Sequence, residues 1–527
     1  MRNARIELIA MMALAGGAIV QCLAAPPASS SGAINPKTLP RVGTIDQRFQ
    51  SYNIEMVEVT GGRFWKPYDS AAQAETSGGN QPGGMSASLY EYRPPIDLSN
   101  ARLRKMAAAL SPAYVRVSGT WANTTWFQDS DDPVPATPPT GFKGILTRQQ
   151  WKGVVDFSNA VGARIVTSVA ISEGVRDAKG LWTSEQLSKL LAFTKSSGGS
   201  IAATEFMNEP TIPVIGGAPK GYDAVAFARD MAVFRPFMKQ ASPATLILGP
   251  GGLGEGTMFK GTSMTIMKSD DILAVTGPVF DAFSYHFYGA VSSRCGAAGM
   301  ATTTSPDKAL SEEWLNRAAK DEEYYAAMRD RFEPEKPVWL TETAEAACGG
   351  DRFASTFLDS FRYLNQLGAL ARTGVRVHMH NTLAASDYGL LDERTYEPRP
   401  NYWAALLWHK LMGATVLDPG TSPSAKLHLY AHCLPDHRGG VSLLAINTDA
   451  EKATSIELSA DSELYTLSAR DPRDEQVLLN GAELKLGQND SLPELKGVNT
   501  PAGKVSILPA SITFVAIPAA KNANCQE

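Results

Sequence analysis

Two glutamates are placed where paired carboxylates could act on one bond. Glu209 follows a short apolar run and stands between Asn208 and Pro210, and Glu342 lies in a second apolar run between two threonines. Two carboxyl groups divide the chemistry when their environments push their pKa values apart. One, kept protonated, donates to a glycosidic oxygen, while the other attacks the anomeric carbon and forms a covalent intermediate. The pair therefore indicates a glycosidic bond as its target.

The elements that would position these glutamates are eight strand-like apolar runs. They cover residues 52–59, 113–117, 164–170, 201–207, 245–248, 280–287, 336–341 and 375–381. Helix-like segments such as 147–160 and 184–193 separate them, and this alternation favours a closed parallel barrel over an open sheet. Side chains at the carboxyl ends of barrel strands face the active site, so Glu209 after strand four and Glu342 after strand seven are expected to meet there.

The pattern changes after residue 412. Short β-rich runs separated by turn residues follow, at 427–431, 440–447, 454–458, 464–468, 477–479, 504–508 and 512–517. The predicted fold class is α/β, a (β/α)8 TIM barrel over residues 49–412 with a C-terminal antiparallel β-sandwich domain over residues 413–527. Residues 25–48 are predicted to be a leader, and the stretch near 41–50 is expected to add a strand to the sandwich.

The first 24 residues are typical of a secretory signal peptide. Arg2 and Arg5 precede an apolar run from residue 8 to residue 20, and small residues stand at the right spacing for cleavage after Ala24. The run is too short for a membrane span, which needs about 20 apolar residues. The predicted location is therefore secreted or periplasmic, with no membrane span.

Composition and charge exclude several classes of function. Hydrophobic residues at 44% and charged residues at 20% are globular values, which exclude a disordered or fibrous chain. The formal net charge is −5, and generic nucleic-acid binding needs a surplus of Lys and Arg, so nucleic acid is not an expected partner. No Cys/His cluster has zinc-ligand spacing, and neither a metal nor a cofactor is predicted.

The chain resembles glycoside hydrolase family 79, the heparanase and β-glucuronidase family, and is identified as a bacterial-type member. The segments that carry the resemblance are 110–120, 208–210, 285–288, 339–343, 388–393, 401–403 and 479–525. Matches extend from about residue 50 to the C-terminus. The resemblance implies a retaining barrel hydrolase in which Glu209 is the acid/base and Glu342 is the nucleophile, with the carboxyl groups about 5–5.5 Å apart.

The resemblance also implies the residues that contact the sugar. Asn208 would hydrogen-bond the 2-hydroxyl, His286 and Tyr288 would line the site, and Glu55 and Thr120 would contact other hydroxyls. In the family, backbone N–H groups of a Gly-rich loop and tyrosines hold the uronate carboxylate, and the matching residues are Gly349, Gly350 and Tyr388. Ala347 stands where the family usually has an aromatic residue, and this departure leaves a neutral β-glycoside open as a substrate.

Four cysteines follow the predicted signal, and in an oxidising compartment they permit two disulfides in three pairings. Cys295 follows strand six and Cys348 follows strand seven, and neighbouring strands place these loops side by side, which favours a Cys295–Cys348 bridge. The pair Cys433 and Cys525 matches a family disulfide that ties the sandwich to the C-terminal tail.

Together these features predict an exo-acting retaining β-glucuronidase whose partner is a carbohydrate containing uronic acid. An endo-acting heparan sulfate hydrolase, a clan relative cleaving a neutral β-glycoside and a non-catalytic carbohydrate-binding protein are the alternatives. Endo-action on a highly sulfated polymer needs a basic cleft, so the net charge of −5 favours exo-action or weakly sulfated substrates.

Overall fold

The computed structural model describes residues 33–70, 86–260, 266–298 and 303–526. The predicted signal peptide and the leader up to residue 32 lie outside the described residues.

The described chain alternates strands and helices and then continues in strands alone. The strands are β1 (Arg41–Thr44), β2 (Gln50–Glu55), β3 (Gly62–Trp65), β4 (Tyr90–Arg93), β5 (Ala113–Ser118), β6 (Thr125–Gln128), β7 (Gly144–Thr147), β8 (Ala163–Ser168), β9 (Ile201–Glu205), β10 (Leu246–Leu253), β11 (Ala282–Val291), β12 (Val338–Ala347), β13 (Val375–His380), β14 (Thr415–Leu417), β15 (Leu427–Cys433), β16 (Val441–Asn447), β17 (Thr454–Leu458), β18 (Ser462–Ser468), β19 (Leu478–Leu479), β20 (Ala482–Glu483), β21 (Val498–Thr500), β22 (Gly503–Ile507) and β23 (Ser511–Ile517). The helices are α1 (Met56–Thr60), α2 (Ala101–Ala108), α3 (Arg148–Val161), α4 (Glu185–Ser196), α5 (Ala224–Ala241), α6 (Ser269–Thr276), α7 (Glu312–Leu315), α8 (Arg317–Phe332), α9 (Phe357–Thr373) and α10 (Pro400–Leu411).

Eight strands close into the predicted parallel barrel, in the order β2, β5, β8, β9, β10, β11, β12 and β13. The eight apolar runs identified in the sequence supply these strands, so the predicted fold class is confirmed. The first run was predicted to extend as one strand to residue 59, and this was wrong. The strand ends at Glu55, whose side chain and that of Glu58 form a reciprocal capping box, and residues 56–60 form helix α1.

The barrel interior changes from apolar to charged along its strands. Tyr114, Ala203 and Trp339 belong to a buried apolar cluster drawn from the barrel strands. Because side chains on one face of a strand recur every two residues, the next inward positions on β5 and β9 are Arg116 and Glu205. The apolar layer therefore forms a floor, and a buried charged layer lies above it toward the carboxyl ends of the strands.

The C-terminal strands form the predicted antiparallel sandwich. A large sheet follows the order β1, β14, β15, β16, β23, β18, β19 and β20, with β21 paired to β18, and a second sheet consists of β17 and β22. Leu443 and Val515 on the large sheet and Ile456 and Ile507 on the small sheet share one buried apolar cluster. Strand β1 precedes the barrel in the chain yet pairs with β14, so the N-terminal segment is part of the large sheet.

The large sheet and helix α9 make a close contact through Tyr430. The Tyr430 hydroxyl donates to Oδ1 of Asn365 at 2.7 Å. A Cβ at Gly368 would lie 2.3 Å from a carbon of the Tyr430 ring, so only glycine lets the ring pack against this helix.

Two disulfides are present. Cys295–Cys348 joins the segments that follow β11 and β12, and Cys433–Cys525 joins the end of β15 to the C-terminal tail. Within the described part of the chain, no helix has both the length and the apolar character that crossing a membrane requires.

Substitution of two mid-helix glycines by alanine tests how tightly the large sheet packs against helix α9, because only one of the two glycines lies in that contact. Gly153 in α3 has open space where a Cβ would stand, whereas Gly368 in α9 does not. We expect Gly153→Ala to raise the free energy of unfolding by about 0.5–1 kcal/mol through helix propensity. Gly368→Ala should lower it by about 1–3 kcal/mol, because the Tyr430 ring must move. Chemical denaturation of both variants tests this, and equal stabilisation by the two would contradict the tight contact.

Candidate active site

Arg116 is the charged centre of the barrel. It lies on β5 and is 1% exposed, so its charge must be paired inside the protein. Its guanidinium donates to Oε2 of Glu205 at 2.8 Å and to Oε2 of Glu342 at 2.7 Å. A further hydrogen bond of 2.8 Å goes to Oδ1 of Asn208. One buried cation thus orients three residues, two at the carboxyl end of β9 and one on β12.

Glu205 is the permanent counter-ion of this centre. Ser284 and Thr341 each donate to its Oε1 at 2.8 Å, and Arg116 holds its Oε2. Burial opposes its charge, but the attraction of Arg116 and of His286 outweighs burial and holds the pKa of Glu205 well below its usual range.

Glu342 accepts a strong hydrogen bond on each oxygen. The Tyr288 hydroxyl donates to Oε1 at 2.7 Å, and Arg116 donates to Oε2 at the same distance. Burial and the neighbouring charge of Glu342 raise the pKa of Tyr288 well above its usual value, so the phenol keeps its proton and donates it. Both contacts stabilise the carboxylate form, the state that a nucleophile needs.

Glu209 has the opposite environment. It follows β9 with a left-handed backbone (φ 48°), and its Oε1 lies 3.1 Å from Nδ1 of His286. Burial and the repulsion of Glu342 raise the pKa of Glu209, against the opposing effect of His286. One carboxylate oxygen of Glu209 and one of Glu342 lie within 4.8 Å of each other. That separation agrees with the about 5–5.5 Å of retaining glycosidases and not with the larger distance of inverting ones.

His286 lies between the two glutamates. Its Nδ1 is 3.1 Å from Glu209 and 3.8 Å from Oε2 of Glu342, and its Nε2 is 3.8 Å from Oε1 of Glu205. Burial disfavours the charged ring, but the surrounding carboxylates, Glu342 first among them, outweigh it and raise the pKa of His286 to about 9. Nε2 of the ring also lies 3.3 Å from a guanidinium nitrogen of Arg116.

Four of the eight predicted sugar contacts line one cavity together with both glutamates. Its lining includes Glu55, Thr120, Glu209, Tyr288, Glu342 and Tyr388, together with Trp65, Ala347, Cys348 and Asn381. Asn208 lies beside it, and its backbone N–H donates to Oδ1 of Asn123 at 2.9 Å. Because Arg116 binds Oδ1 of Asn208, the orientation of the Asn208 amide is fixed.

Glu55 is a buried acid at the edge of this cavity. Burial first, and then the charge of Glu342, raise the pKa of Glu55 well above its usual range. Its Oε1 accepts from the Asn381 amide at 3.1 Å, and its Oε2 has no partner among the described residues. A Cβ at Gly119 would lie 1.5 Å from that oxygen, so glycine is required there.

In the loop after Glu342, the backbone N–H groups of the two glycines differ in their hydrogen bonding. Cys348, Gly349 and Gly350 are consecutive residues with left-handed backbones. The Gly350 N–H donates to the Ala346 carbonyl at 3.1 Å and is therefore engaged within the loop. Among the described residues the Gly349 N–H has no acceptor. A Cβ at Gly349 would lie 2.6 Å from Cβ of Trp65, so the loop packs closely on the cavity wall.

Glu209, His286 and Glu342 also have the spacing of metal ligands. Their donor atoms are however engaged by protein cations and by protons. Arg116 donates to Glu342, and the imidazolium of His286 faces Glu209. A metal ion would have to displace these positive groups, so the set fits proton transfer better than metal binding.

Arg116, Glu205 and Asn381 were not singled out by the sequence reasoning. The sequence does contain a feature from which the buried roles of Arg116 and Glu205 could have been predicted. Arg116 is a charged residue inside a predicted apolar strand. Glu205 is likewise a charged residue inside the predicted apolar strand that precedes Glu209. A charge at an inward position of a barrel strand requires a buried partner of opposite sign. Asn381 offered no comparable signal, because an amide after a strand is common in loops.

A closed parallel barrel with two carboxyl groups close together at its carboxyl end is the architecture of barrel glycoside hydrolases. The family model "Glycosyl hydrolase family 79, N-terminal domain" matches residues 86–368, more than half of the chain. The protein belongs to glycoside hydrolase family 79.

Named relatives agree with this membership over most of the chain. Heparanase-like protein 1 of Arabidopsis thaliana is 27% identical over 86% of this chain and 89% of its own length. Baicalin-β-D-glucuronidase of Scutellaria baicalensis is 26% identical over 84% of this chain and 86% of its own. The crystal structure of a 4-O-α-L-rhamnosyl-β-D-glucuronidase from Fusarium oxysporum covers 91% of this chain and 99% of its own, with 14% identity and a TM-score of 0.62, and shows the same fold.

The protonation of His286 can be measured without any substrate. We expect its imidazole to be positively charged at pH 7 and to lose its proton only near pH 9, because carboxylates surround it. His380 is the internal control, since burial lowers its pKa to about 3 and keeps it neutral. NMR of protein with ¹⁵N-labelled histidine distinguishes the two states, and His286→Gln assigns the signal. A neutral His286 ring at pH 7 would contradict the charged network.

Proposed function

We propose that this protein is a retaining exo-β-glucuronidase. The observation that carries the proposal is the asymmetry of the carboxyl pair. Glu342 accepts hydrogen bonds from Arg116 and Tyr288, whereas burial and the charge of Glu342 raise the pKa of Glu209. This is the difference between nucleophile and acid that double displacement requires.

In the first step Glu209 donates its proton to the glycosidic oxygen as Glu342 attacks the anomeric carbon. The bond to the aglycone breaks, the aglycone leaves as an alcohol or phenol, and an ester joins the sugar to Glu342. In the second step the Glu209 carboxylate removes a proton from water, the water oxygen attacks the same carbon, and the ester breaks. Glu342 is released as a carboxylate, and Glu209 is protonated again.

A uronate is the proposed glycone. Among the described residues that line the cavity there is no Lys or Arg, so the carboxylate would be held by neutral donors. The Asn381 amide lies 3.3 Å from the Tyr388 hydroxyl oxygen, which leaves the Tyr388 proton free to be donated. The Gly349 N–H is the second proposed donor. Two named relatives are glucuronidases, which supports this glycone.

Exo-action and export are part of the same proposal. A single uronate needs few donors, whereas a sulfated polymer needs a basic cleft that a chain with net charge −5 is less suited to form. The predicted signal peptide and the two disulfides support an oxidising location outside the cytoplasm. The bacterial-type assignment stays a prediction, because the relatives named above come from plants and a fungus.

The roles of the two glutamates are separable by substitution. Glu342→Gln should abolish turnover of an aryl β-glucuronide while leaving binding of glucuronate intact, because no ester can form. Glu209→Ala should lose about 10²–10⁴-fold in turnover and regain part of it with azide, which replaces the water that Glu209 activates. Steady-state kinetics and calorimetry measure both.

The control for these variants is Glu322→Gln, which changes a buried acid on α8 outside the cavity lining. It should keep full activity. Equal activity in wild type and Glu342→Gln would remove the mechanism, and azide rescue of the Glu342 variant instead of the Glu209 variant would exchange the two roles.

The glycone is tested by comparing 4-nitrophenyl β-glucuronide with 4-nitrophenyl β-glucoside. We expect kcat/KM to be at least about 10²-fold higher for the glucuronide, because oriented donors are left unpaired by the neutral sugar. Tyr388→Phe should reduce this preference by removing one donor. Equal kcat/KM for the two substrates would favour the neutral β-glycosidase suggested by Ala347.

A further inference from the structure

An open apolar groove adjoins the catalytic cavity. The apolar groove is defined by Ile212, Pro213, Val214, Ile215, Val225 and Met267, which line a space of about 620 Å³. Ile212 and Ile215 line the catalytic cavity as well. The two spaces therefore share a wall that consists of apolar side chains.

The groove begins one turn after the proposed acid. The Glu209 carbonyl accepts the Ile212 N–H at 3.1 Å, and the Ile212 carbonyl accepts the Gly216 N–H at 3.0 Å. The Thr211 carbonyl accepts the Met267 N–H at 2.9 Å, so both sides of the groove are joined by main-chain hydrogen bonds. The acid must touch the oxygen that links sugar and aglycone, so the aglycone leaves on the side where Glu209 lies.

The described lining of the groove is largely apolar, and its charged residues are acidic. Val214 is 83% exposed and Val225 is 64% exposed, and exposed apolar surface next to a catalytic cavity marks a binding surface. The charged residues among its described lining are Asp223 and Asp271. Asp223 caps α5 by accepting the Ala226 N–H at 2.8 Å, yet its charge still faces an anionic ligand unfavourably. A sulfated or uronate-rich chain would be repelled here.

We infer that the apolar groove binds the aglycone, and that the substrates are β-glucuronides of apolar, ring-containing aglycones. This inference rests on the proposed glucuronidase function and names its substrate class. The volume of about 620 Å³ lies within the range of small-molecule sites and holds more than one ring. An apolar aglycone removes the two valines from water and brings no charge near the aspartates.

The test compares phenyl β-glucuronide with biphenyl-4-yl β-glucuronide, whose phenol leaving groups have nearly the same acidity. The second ring of the larger substrate reaches further along the groove. We expect kcat/KM to be about tenfold higher for the biphenylyl substrate, the size of effect that burial of one apolar group produces. Most of the gain should appear in KM, since the chemistry at the anomeric carbon is the same.

Charged substitutions in the groove should remove the preference. Val214→Asp and Val225→Asp are each expected to bring the ratio of the two kcat/KM values close to one. Val225 lies in the first turn of α5, where an aspartate is compatible with the helix dipole, so this variant should fold even if the Val214 variant does not. The matched control is Val498→Asp, an exposed valine of the sandwich that should leave the ratio unchanged.

The outcomes separate this inference from the function on which it rests. If neither aryl glucuronide is hydrolysed, the glucuronidase proposal fails. If both are hydrolysed with equal kcat/KM, or if Val225→Asp keeps the preference, the aglycone site is wrong while the glucuronidase proposal stands. Cleavage of a heparan sulfate oligosaccharide with a kcat/KM equal to that of the biphenylyl substrate would likewise overturn the apolar substrate class.

Discussion

The pairing of Arg116 with carboxylates inside the barrel is the interaction on which the rest of the site depends. Glu205 and Glu342 supply two negative charges, and Arg116 and the imidazolium of His286 supply two positive ones. With Glu209 protonated, these four charges sum to zero, as a buried cluster requires. During the reaction Glu342 loses its charge to the ester as Glu209 becomes charged. His286 adjoins both, so the balance is kept throughout the cycle.

The period of two along a β-strand explains why this cluster lies where it does. Below Arg116 and Glu205 the inward positions are apolar, and Tyr114, Ala203 and Trp339 close the barrel against water. The low polarity of that floor strengthens each electrostatic contact above it. Only the layer at the carboxyl ends of the strands combines this support with an opening to substrate.

Much of the barrel was predictable, because each of its strands is a short apolar run and each lies between turn or helix signals. Glu209 and Glu342 were predictable for the same reason, since their positions at strand ends place them on one face. The end of β2 was not, because apolar residues continue through Met56, Val57 and Val59, and helix α1 begins at the capping box of Glu55 and Glu58. The use of the Gly350 N–H within its own loop also depends on three-dimensional geometry, as two adjacent glycines look alike in sequence.

The disulfide Cys295–Cys348 links the segments that follow Tyr288 and Glu342 on two neighbouring strands. For an exported chain this bond forms only after the protein leaves the reducing cytoplasm. Until then the hydrogen bond between the phenol and the carboxylate is supported by noncovalent packing alone. With the proposed export, the place of synthesis and the place where the catalytic centre becomes fully braced are therefore different compartments.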